Sequence, residues 1–298
     1  MTDVTVVVAT RNRRDQLLDS LDRHAGPVIV VDNGSTDGTA DAVRDRFPGV
    51  RVVRLDHNAG AAARNVGAEL ARTPFVAFAD DDSHWAPGCL DRAAALFRAH
   101  PRAGLLTAQI RVGRSERLDP VSAGMAEDPL GSPPDLPGPA VLGFLACAAI
   151  VRRDAFGQVG GFNPRLRIYG EEELLAMDLA AAGWGLAYVP ELVVHHQPAT
   201  EGRDLRRRHR LEARNRLLTA ALRRPAPVVL RTAVETWRAP QGRSALLDAG
   251  RELGWILRHR RRLPAPVEAA RARLDRWDRS AGQVRDVCPV ESRGVRRA

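Results

Sequence analysis

The amino-acid sequence predicts an α/β protein: a mixed, mainly parallel β-sheet flanked by helices, with an arginine-rich helical extension at its C-terminal end. Three observations predict it. Short β-branched runs alternate with helical patterns over residues 1–80, a polar loop rich in glycine or acid follows each run, and positive charge gathers in the last third of the chain. With 298 residues, 44% of them hydrophobic, the chain can build one large domain and an appendage.

Taken in order, residues 4–9 read as a strand, followed by a helix carrying Leu17, Leu18 and Leu21. Residues 28–31 form the next strand and Ala42 and Val43 mark the next helix. Residues 50–55, a helix with Ala63, Val66, Ala68 and Leu70, and a strand at 75–79 complete the series. Near-continuous apolar strands joined by helices imply a parallel sheet covered on both faces. Ligands bind such sheets beyond the carboxyl ends of the strands. The loops after Ala9, Val31, Leu55 and Ala79 are therefore the predicted binding edge. Residues 113–139, rich in Pro, Gly and Ser and without a steady period, read as a long flap. A second mixed segment runs through Gly160-Gly161-Phe162 and Glu171-Glu172-Glu173 to a strand at 192–194 that ends at His195-His196. The division expected is one domain over 1–202, in halves of about 1–112 and 140–202, and an extension over 203–298.

Every Lys or Arg position is arginine, a mark of genomic composition first and of phosphate binding second. From residue 203 onward there are 25 arginines against 10 acidic residues, about +15, which leaves about −6 for the rest. Leu205, Leu211, Leu217, Leu218 and Leu222 set an apolar face against a cationic one. Leu246, Leu253, Ile256 and Leu257, then Val267, Ala270, Leu274 and Trp277, repeat the pattern. Such helices suit packing on the main domain, an anionic membrane surface or nucleic acid. Nucleic acid is not expected, since no binding motif accompanies the charge. Cys89, Cys147 and Cys288 are scattered, so neither a disulfide framework nor a zinc knuckle is supported. The longest nearly apolar stretch, 140–151, falls short of the roughly 20 residues that span a bilayer. No signal peptide is read at the N-terminus. The expectation is a cytoplasmic protein, with any membrane contact peripheral and at the inner face.

Asp80-Asp81-Asp82, directly after an apolar strand, would repel one another without a cation between them. Mg²⁺ or Mn²⁺ answers that need, because hard cations take carboxylates and share them with substrate phosphates. A helix N-cap is the alternative. Asp32 ends the second strand, where its carboxylate suits either a nucleobase N–H or a turn. Asn58, Gly60 and Arg64 follow the third strand. The glycine permits close backbone approach and the arginine suits a phosphate or carboxylate, with ordinary loop-to-helix capping as the other reading.

Four pieces occur together and in order: Val6-Val7-Val8-Ala9-Thr10-Arg11-Asn12-Arg13, Val30-Val31-Asp32-Asn33-Gly34-Ser35-Thr36-Asp37-Gly38-Thr39, Asn58-Ala59-Gly60 with Arg64-Asn65-Val66-Gly67, and Phe78-Ala79-Asp80-Asp81-Asp82. Over the first hundred residues, and more loosely the first two hundred, they resemble the family-two inverting glycosyltransferases of GT-A-type fold. The resemblance implies a nucleotide-sugar half, about 1–112, and an acceptor half, about 140–202. It implies that Thr10, Arg11, Asn12 and Asp32 contact the nucleotide, with Asn58, Gly60 and Arg64 beside them. Asp80 and Asp82 become the DxD pair, with Asp82 on the metal, Asp80 on the ribose or a bridging water, and Asp81 grouped with the nucleotide-sugar ligands. Glu172 matches the position of the family's general base, although Asp is usual there, so Glu171 and Glu173 stay open. Gly160-Gly161-Phe162 resembles an element whose small backbone lets donor and acceptor approach. His195, immediately after the late strand, is preferred over His196 as the histidine of the metal site. The implied activity is transfer of a hexosyl or deoxyhexosyl group, with inversion and a divalent metal, from a nucleoside diphosphate sugar to a hydroxyl of a saccharide, lipid-linked or small-molecule acceptor. A sugar nucleotidyltransferase is the rival enzyme, but Ala9-Thr10-Arg11-Asn12 lacks a triphosphate loop. A non-catalytic sugar-nucleotide-binding regulator is the other rival, suggested by Glu at the base position.

Overall fold

The computed structural model describes residues 3–198 and 204–287. The chain runs β1 (Val4–Thr10), α1 (Arg14–Leu21), β2 (Val28–Asp32), α2 (Thr39–Arg46), β3 (Arg51–Arg54), α3 (Ala63–Leu70) and β4 (Phe75–Ala79). It continues through β5 (Ser83–Trp85), α4 (Cys89–Ala99), β6 (Ala103–Val112), β7 (Arg117–Leu118), α5 (Pro120–Ala126), β8 (Ala149–Arg152), α6 (Arg153–Gln158), α7 (Glu171–Ala181) and β9 (Gly185–His196). The extension supplies α8 (Leu205–Arg223), α9 (Ala226–Arg238), α10 (Gly242–Gly250), α11 (Leu253–His259) and α12 (Ala265–Val287).

The strands form one sheet in the order β3-β2-β1-β4-β8-β6-β9-β5, with β7 added to β6. The first four are parallel. Beyond β4 the sheet is mixed, because β8 runs antiparallel to β4 and β6 while β9 runs parallel to β6. β1 alternates between two cores: Val4, Val6 and Val8 face α1, α2 and α4, and Val7 faces α3, α6 and α7. All four parallel strands end at the same edge, which gathers their loops.

Three elements differ from expectation, each for a physical reason. The third strand is an edge strand with Arg51 and Arg54 exposed, so it is short and less apolar than its neighbours. The flap at 113–139 contains β7 and α5, whose seven residues are too few to show a period; Asp119 caps α5 by accepting from the Val121 N–H at 2.8 Å. The late strand spans Gly185–His196, because its register on β6 jumps from Val189 to Val193 and breaks the sequence period at Pro190 and Glu191.

The boundary expected at 202/203 lies outside the described residues. Helices α8 to α12 pack on the main domain: Leu217, Leu218, Leu222, Ala249 and Ile256 close over Leu166 and Leu174. Each fully buried leucine there contributes roughly 1.5–3 kcal/mol. Arginines on this face meet carboxylates, Arg223 with Asp178 at 2.9 Å and buried Arg224 with Glu268 and Asp275, both at 2.8 Å. Among the described residues no helix is long and apolar enough to cross a membrane.

Candidate active site

At the carboxyl edge of β1 and β4 lies an open cavity of about 790 Å³. One wall comes from the loops after β1 to β4. Thr10 and Arg11 line it. Asn12 does not; with a left-handed φ of 53° it braces two loops, its N–H donating to Ser35 Oγ at 3.0 Å and its Oδ1 accepting from the Thr36 N–H at 2.8 Å. Asp32 is wholly buried behind the wall. Its Oδ1 accepts from the Ser35 N–H at 2.9 Å, while its buried Oδ2 receives no hydrogen bond and stands 3.7 Å from Arg54 Nε. Asn33, missed in the sequence reading, ties the wall together: Oδ1 accepts from the Ala59 N–H at 2.7 Å and Nδ2 donates to the Gly60 carbonyl at 3.0 Å. Asn58 Oδ1 accepts from the Gly60 N–H at 2.9 Å. The signal for Asn33 was its place beside Asp32 at a strand end.

The three aspartates point to three partners. Asp80 pairs with Arg64, whose guanidinium lies 5.8 Å from the Phe162 ring centre. Burial alone would lower the Arg64 pKa, but the charges of Asp80, Glu171 and Glu172 outweigh it and hold it above its ordinary value. Asp81 accepts from the Thr10 hydroxyl at 2.9 Å; burial, then the charges of Asp80 and Asp82, push its carboxyl up to about 7. Asp82 Oδ1 stands 3.2 Å from His196 Nε2, yet this buried oxygen receives no hydrogen bond. His196, not His195, borders the cavity. His195 lies on the other face of β9, with Nδ1 2.9 Å from Glu116 Oε2 and its ring stacked on His84 at 5.0 Å. The alternation along β9 decides this, since His195 is paired with His84 and His196 with Ser83.

An unbonded carboxylate oxygen facing an imidazole nitrogen fits a divalent cation, as two donors of suitable chemistry. Among the described residues no three His, Cys, Asp or Glu side chains converge as a closed cage. A seat completed by substrate phosphates is the arrangement that Mg²⁺ commonly adopts.

The second wall comes from the loop before α7 and from α8: Arg167, Ile168, Tyr169, Arg207, Arg208 and Leu211. The loop is held in an unusual shape, with φ of 61° at Arg167, 69° at Tyr169 and 91° at Gly170. Asn215 of α8, fully buried, holds it there, its Nδ2 donating to the carbonyls of Leu166 at 2.7 Å, Ile168 at 3.0 Å and Tyr169 at 2.8 Å. The Arg167 carbonyl in turn accepts from the Ala61 N–H, and a Cβ at Gly60 would collide with that carbonyl. The two walls therefore touch at a glycine. Asn215 and the α8 arginines were hidden in a segment whose sequence read only as amphipathic helix.

Gly170 leads into the three glutamates of α7, none of which lines the cavity. Glu173 turns away to Arg271 at 3.1 Å. Glu171, only 3% exposed, is pushed up to about 8 by burial and then by the charge of Glu172. Burial raises Glu172 too, against the pull of Arg64 and of the Ala146 N–H. The space at Gly161, expected to admit ligand, is filled by Asn65 and Phe156: a Cβ would lie 2.6 Å from Asn65 Oδ1. Asn65 spans the Phe162 backbone, accepting from its N–H at 2.9 Å and donating to its carbonyl at 2.8 Å.

Comparison with known proteins adds to this geometry. Residues 5–160 match the model for "Glycosyl transferase family 2". The chain is 34% identical over 214 residues to the N-acetylglucosaminyl-diphospho-decaprenol L-rhamnosyltransferase of Mycobacterium tuberculosis, covering 59% of this chain and 68% of that protein. It is 33% identical over 217 residues to the pre-mycofactocin glycosyltransferase of the same organism, covering 68% of this chain but 44% of that one. Among solved structures, the mannosyltransferase PcManGT from Pyrobaculum calidifontis, in complex with GDP-Man and Mn²⁺, superposes with a TM-score of 0.58 at 21% identity over 97% of this chain and 88% of its own. TarS 1-349 from S. aureus, in complex with UDP-GlcNAc, gives 0.58 at 20% identity over 98% and 93%. At these identities the likeness shows the fold.

Proposed function

The chain belongs to glycosyl transferase family 2 and is a glycosyltransferase of GT-A-type fold, and from that premise we propose that it transfers a sugar with inversion from a nucleoside diphosphate donor to a hydroxyl of a lipid-linked saccharide. The observation that carries this reading is Asp82 Oδ1, buried, unbonded and facing His196 on the cavity wall. Asp82 and His196 would hold Mg²⁺ or Mn²⁺, which when bound offsets the negative charge that builds on the departing diphosphate. His196 takes this role in place of His195.

Thr10, Arg11, Asn58 and Gly60 form the bed for the nucleotide, and the unbonded Asp32 Oδ2 is the acceptor held ready behind it. Asn12 serves by fixing the loops. Arg64, pinned by Asp80, carries fixed positive charge to the same wall. On the α7 side, two neighbouring carboxyls divide the labour, because burial and mutual repulsion disfavour two ionised groups together. Glu171 keeps its proton at neutral pH; burial raises Glu172 as well, against the pull of Arg64, and Glu172, at the position that matches the family's base, is assigned as the general base. The acceptor oxygen attacks the anomeric carbon, its proton passes to Glu172, and the bond from that carbon to the diphosphate oxygen breaks with the electron pair staying on the diphosphate. A single displacement inverts the centre. The lipid-linked acceptor is supported by the name of the rhamnosyltransferase relative. Contact with an anionic membrane is supported by the exposed stripe Leu230, Val234 and Trp237 on α9, with Arg243 stacked 4.9 Å over Trp237.

Incubation with uridine, thymidine and guanosine diphosphate sugars and Mn²⁺ tests the reading. Slow donor hydrolysis is expected with one of them, lost in Asp82→Ala. Binding of a donor by calorimetry with no hydrolysis of any would sink the enzyme reading in favour of a non-catalytic binder.

A further inference from the structure

Several arginines of α8, and Arg224 just after it, are neutralised within the protein. Arg210 meets Asp248 at 2.6 Å, Arg214 meets Glu252 at 3.1 Å, and Arg223 and Arg224 have the carboxylates described above. The cavity-lining members differ. Arg207 has no side-chain hydrogen bond or ion pair among the described residues. Arg208 gives Nε to Glu212 at 2.7 Å and lies 5.1 Å over the Tyr169 ring, which orders it while leaving its Nη groups uncommitted among the described residues. On the same wall Arg167 spends one N–H on the Asn58 carbonyl at 3.2 Å. Three cations thus face one cavity with a single carboxylate among their side-chain partners. Asp204, which also lines the cavity, caps α8 through the Arg207 N–H at 3.0 Å, so these three cations are set against the carboxylates of Glu212 and Asp204. Such an excess of fixed positive charge is the signature of a missing anion.

The position says which anion. The Asp82–His196 pair and the loops of β1 to β4 belong to the opposite wall, so the donor diphosphate is provided for there. Arg167 stands instead on the loop that leads into Glu171 and Glu172, and Arg207 and Arg208 on α8 beside it, the side assigned to the acceptor. Their neighbours are aliphatic: Leu211 lines the wall, Ile168 is 45% exposed, and Leu205 in the first turn of the helix is 59% exposed. Exposed aliphatics beside guanidinium groups match a phosphate carried on an apolar chain.

We propose that Arg167, Arg207 and Arg208 form a second phosphate subsite, which receives the phosphate joining the acceptor sugar to an apolar chain. This rests on the transferase reading and adds to it the means of recognising the acceptor. The bidentate geometry of guanidinium suits it to phosphate oxygens, and the subsite would hold the acceptor by its charged linkage, leaving the sugar free to turn its hydroxyl toward the base.

The experiment is calorimetry on the full chain, in Mn²⁺ and a saturating amount of whichever nucleoside diphosphate binds, with geranyl diphosphate as the probe and geraniol as its uncharged control. The expected result is a ternary complex with geranyl diphosphate and none with geraniol. The Arg207→Ala, Arg208→Ala double variant should weaken the probe by about ten-fold or more while nucleoside diphosphate affinity stays within about two-fold. Arg206→Ala, a neighbour off the cavity, should change neither. Competition between geranyl diphosphate and the nucleotide, equal loss of both in the double variant, or no loss of either would each overturn the subsite. The second of these outcomes would assign the arginines to the donor. Failure of every nucleoside diphosphate to bind would instead sink the transferase reading itself.

Discussion

Asp80, Asp81 and Asp82 are consecutive in the chain and diverge in space, to Arg64, to the Thr10 hydroxyl and to His196. Their crowding at a strand end is thus eased by one cationic partner, one hydroxyl donor and one buried oxygen left for a ligand. If His196 completes that seat, His196→Ala should raise the Mn²⁺ concentration needed for donor hydrolysis by about ten-fold or more. His195→Ala, which removes only the contacts to Glu116 and His84, should move it by less than about three-fold; a Mn²⁺ titration of each variant separates them. Glu171 supplies a second test at this scale. Its folded-state carboxyl stays protonated up to about 8, whereas in the unfolded chain it ionises near 4.5. Between those limits the folded state holds the extra proton, so the stability present below the lower value is lost as the pH rises, at about 1.4 kcal/mol per pH unit. In metal-free buffer the melting temperature should therefore fall from pH 5 to pH 8, and Glu171→Gln should flatten the fall. An unchanged slope in that variant would place the titration elsewhere.

At the scale of elements, α8 and the 166–170 loop act as one unit. A single carboxamide, that of Asn215, supplies donors to three of the loop's carbonyls. Asn215→Ala would remove the donor these three buried or part-buried carbonyls share, leaving Leu166 only the Ile168 N–H, at a cost of about 1–3 kcal/mol in stability. It should also lower the transfer rate by about ten- to a hundred-fold by letting Tyr169 and Gly170 drift and α7's first turn with them. Steady-state kinetics on the purified, folded variant should show the loss in kcat, with the donor KM within about two-fold. A purely structural residue would change the melting temperature alone. β9 shows the same dependence of chemistry on geometry: its jump in register at Pro190 to Leu192 sets which histidine meets Asp82.

Across the whole molecule, legibility follows how local the cause is. The parallel half was readable because β1, β2 and β4 are buried on both faces and so consist almost wholly of apolar residues, with their loops named by punctuation such as Asp32-Asn33-Gly34. The acids at 80–82 and 171–172 were readable as types, but their partners were not. His196 was passed over for His195 because a doublet carries no information on facing until β5 is paired beside it. The extension resisted for a similar reason: an amphipathic helix with a cationic face looks alike whether the charge meets Asp178, Glu268 and Asp275 of the same protein or a lipid surface. Those carboxylates are distant in sequence or lie on other helices. The family match ends at residue 160, whereas the second wall of the cavity is drawn from residues 167 to 211. The two walls meet where Gly60 and Ala61 abut the Arg167 carbonyl and where the Arg167 guanidinium reaches the Asn58 carbonyl. On the proposed assignment of donor and acceptor to the two walls, their preferences can be inherited separately, and a lineage can drift to a new acceptor on one wall without relearning its nucleotide on the other.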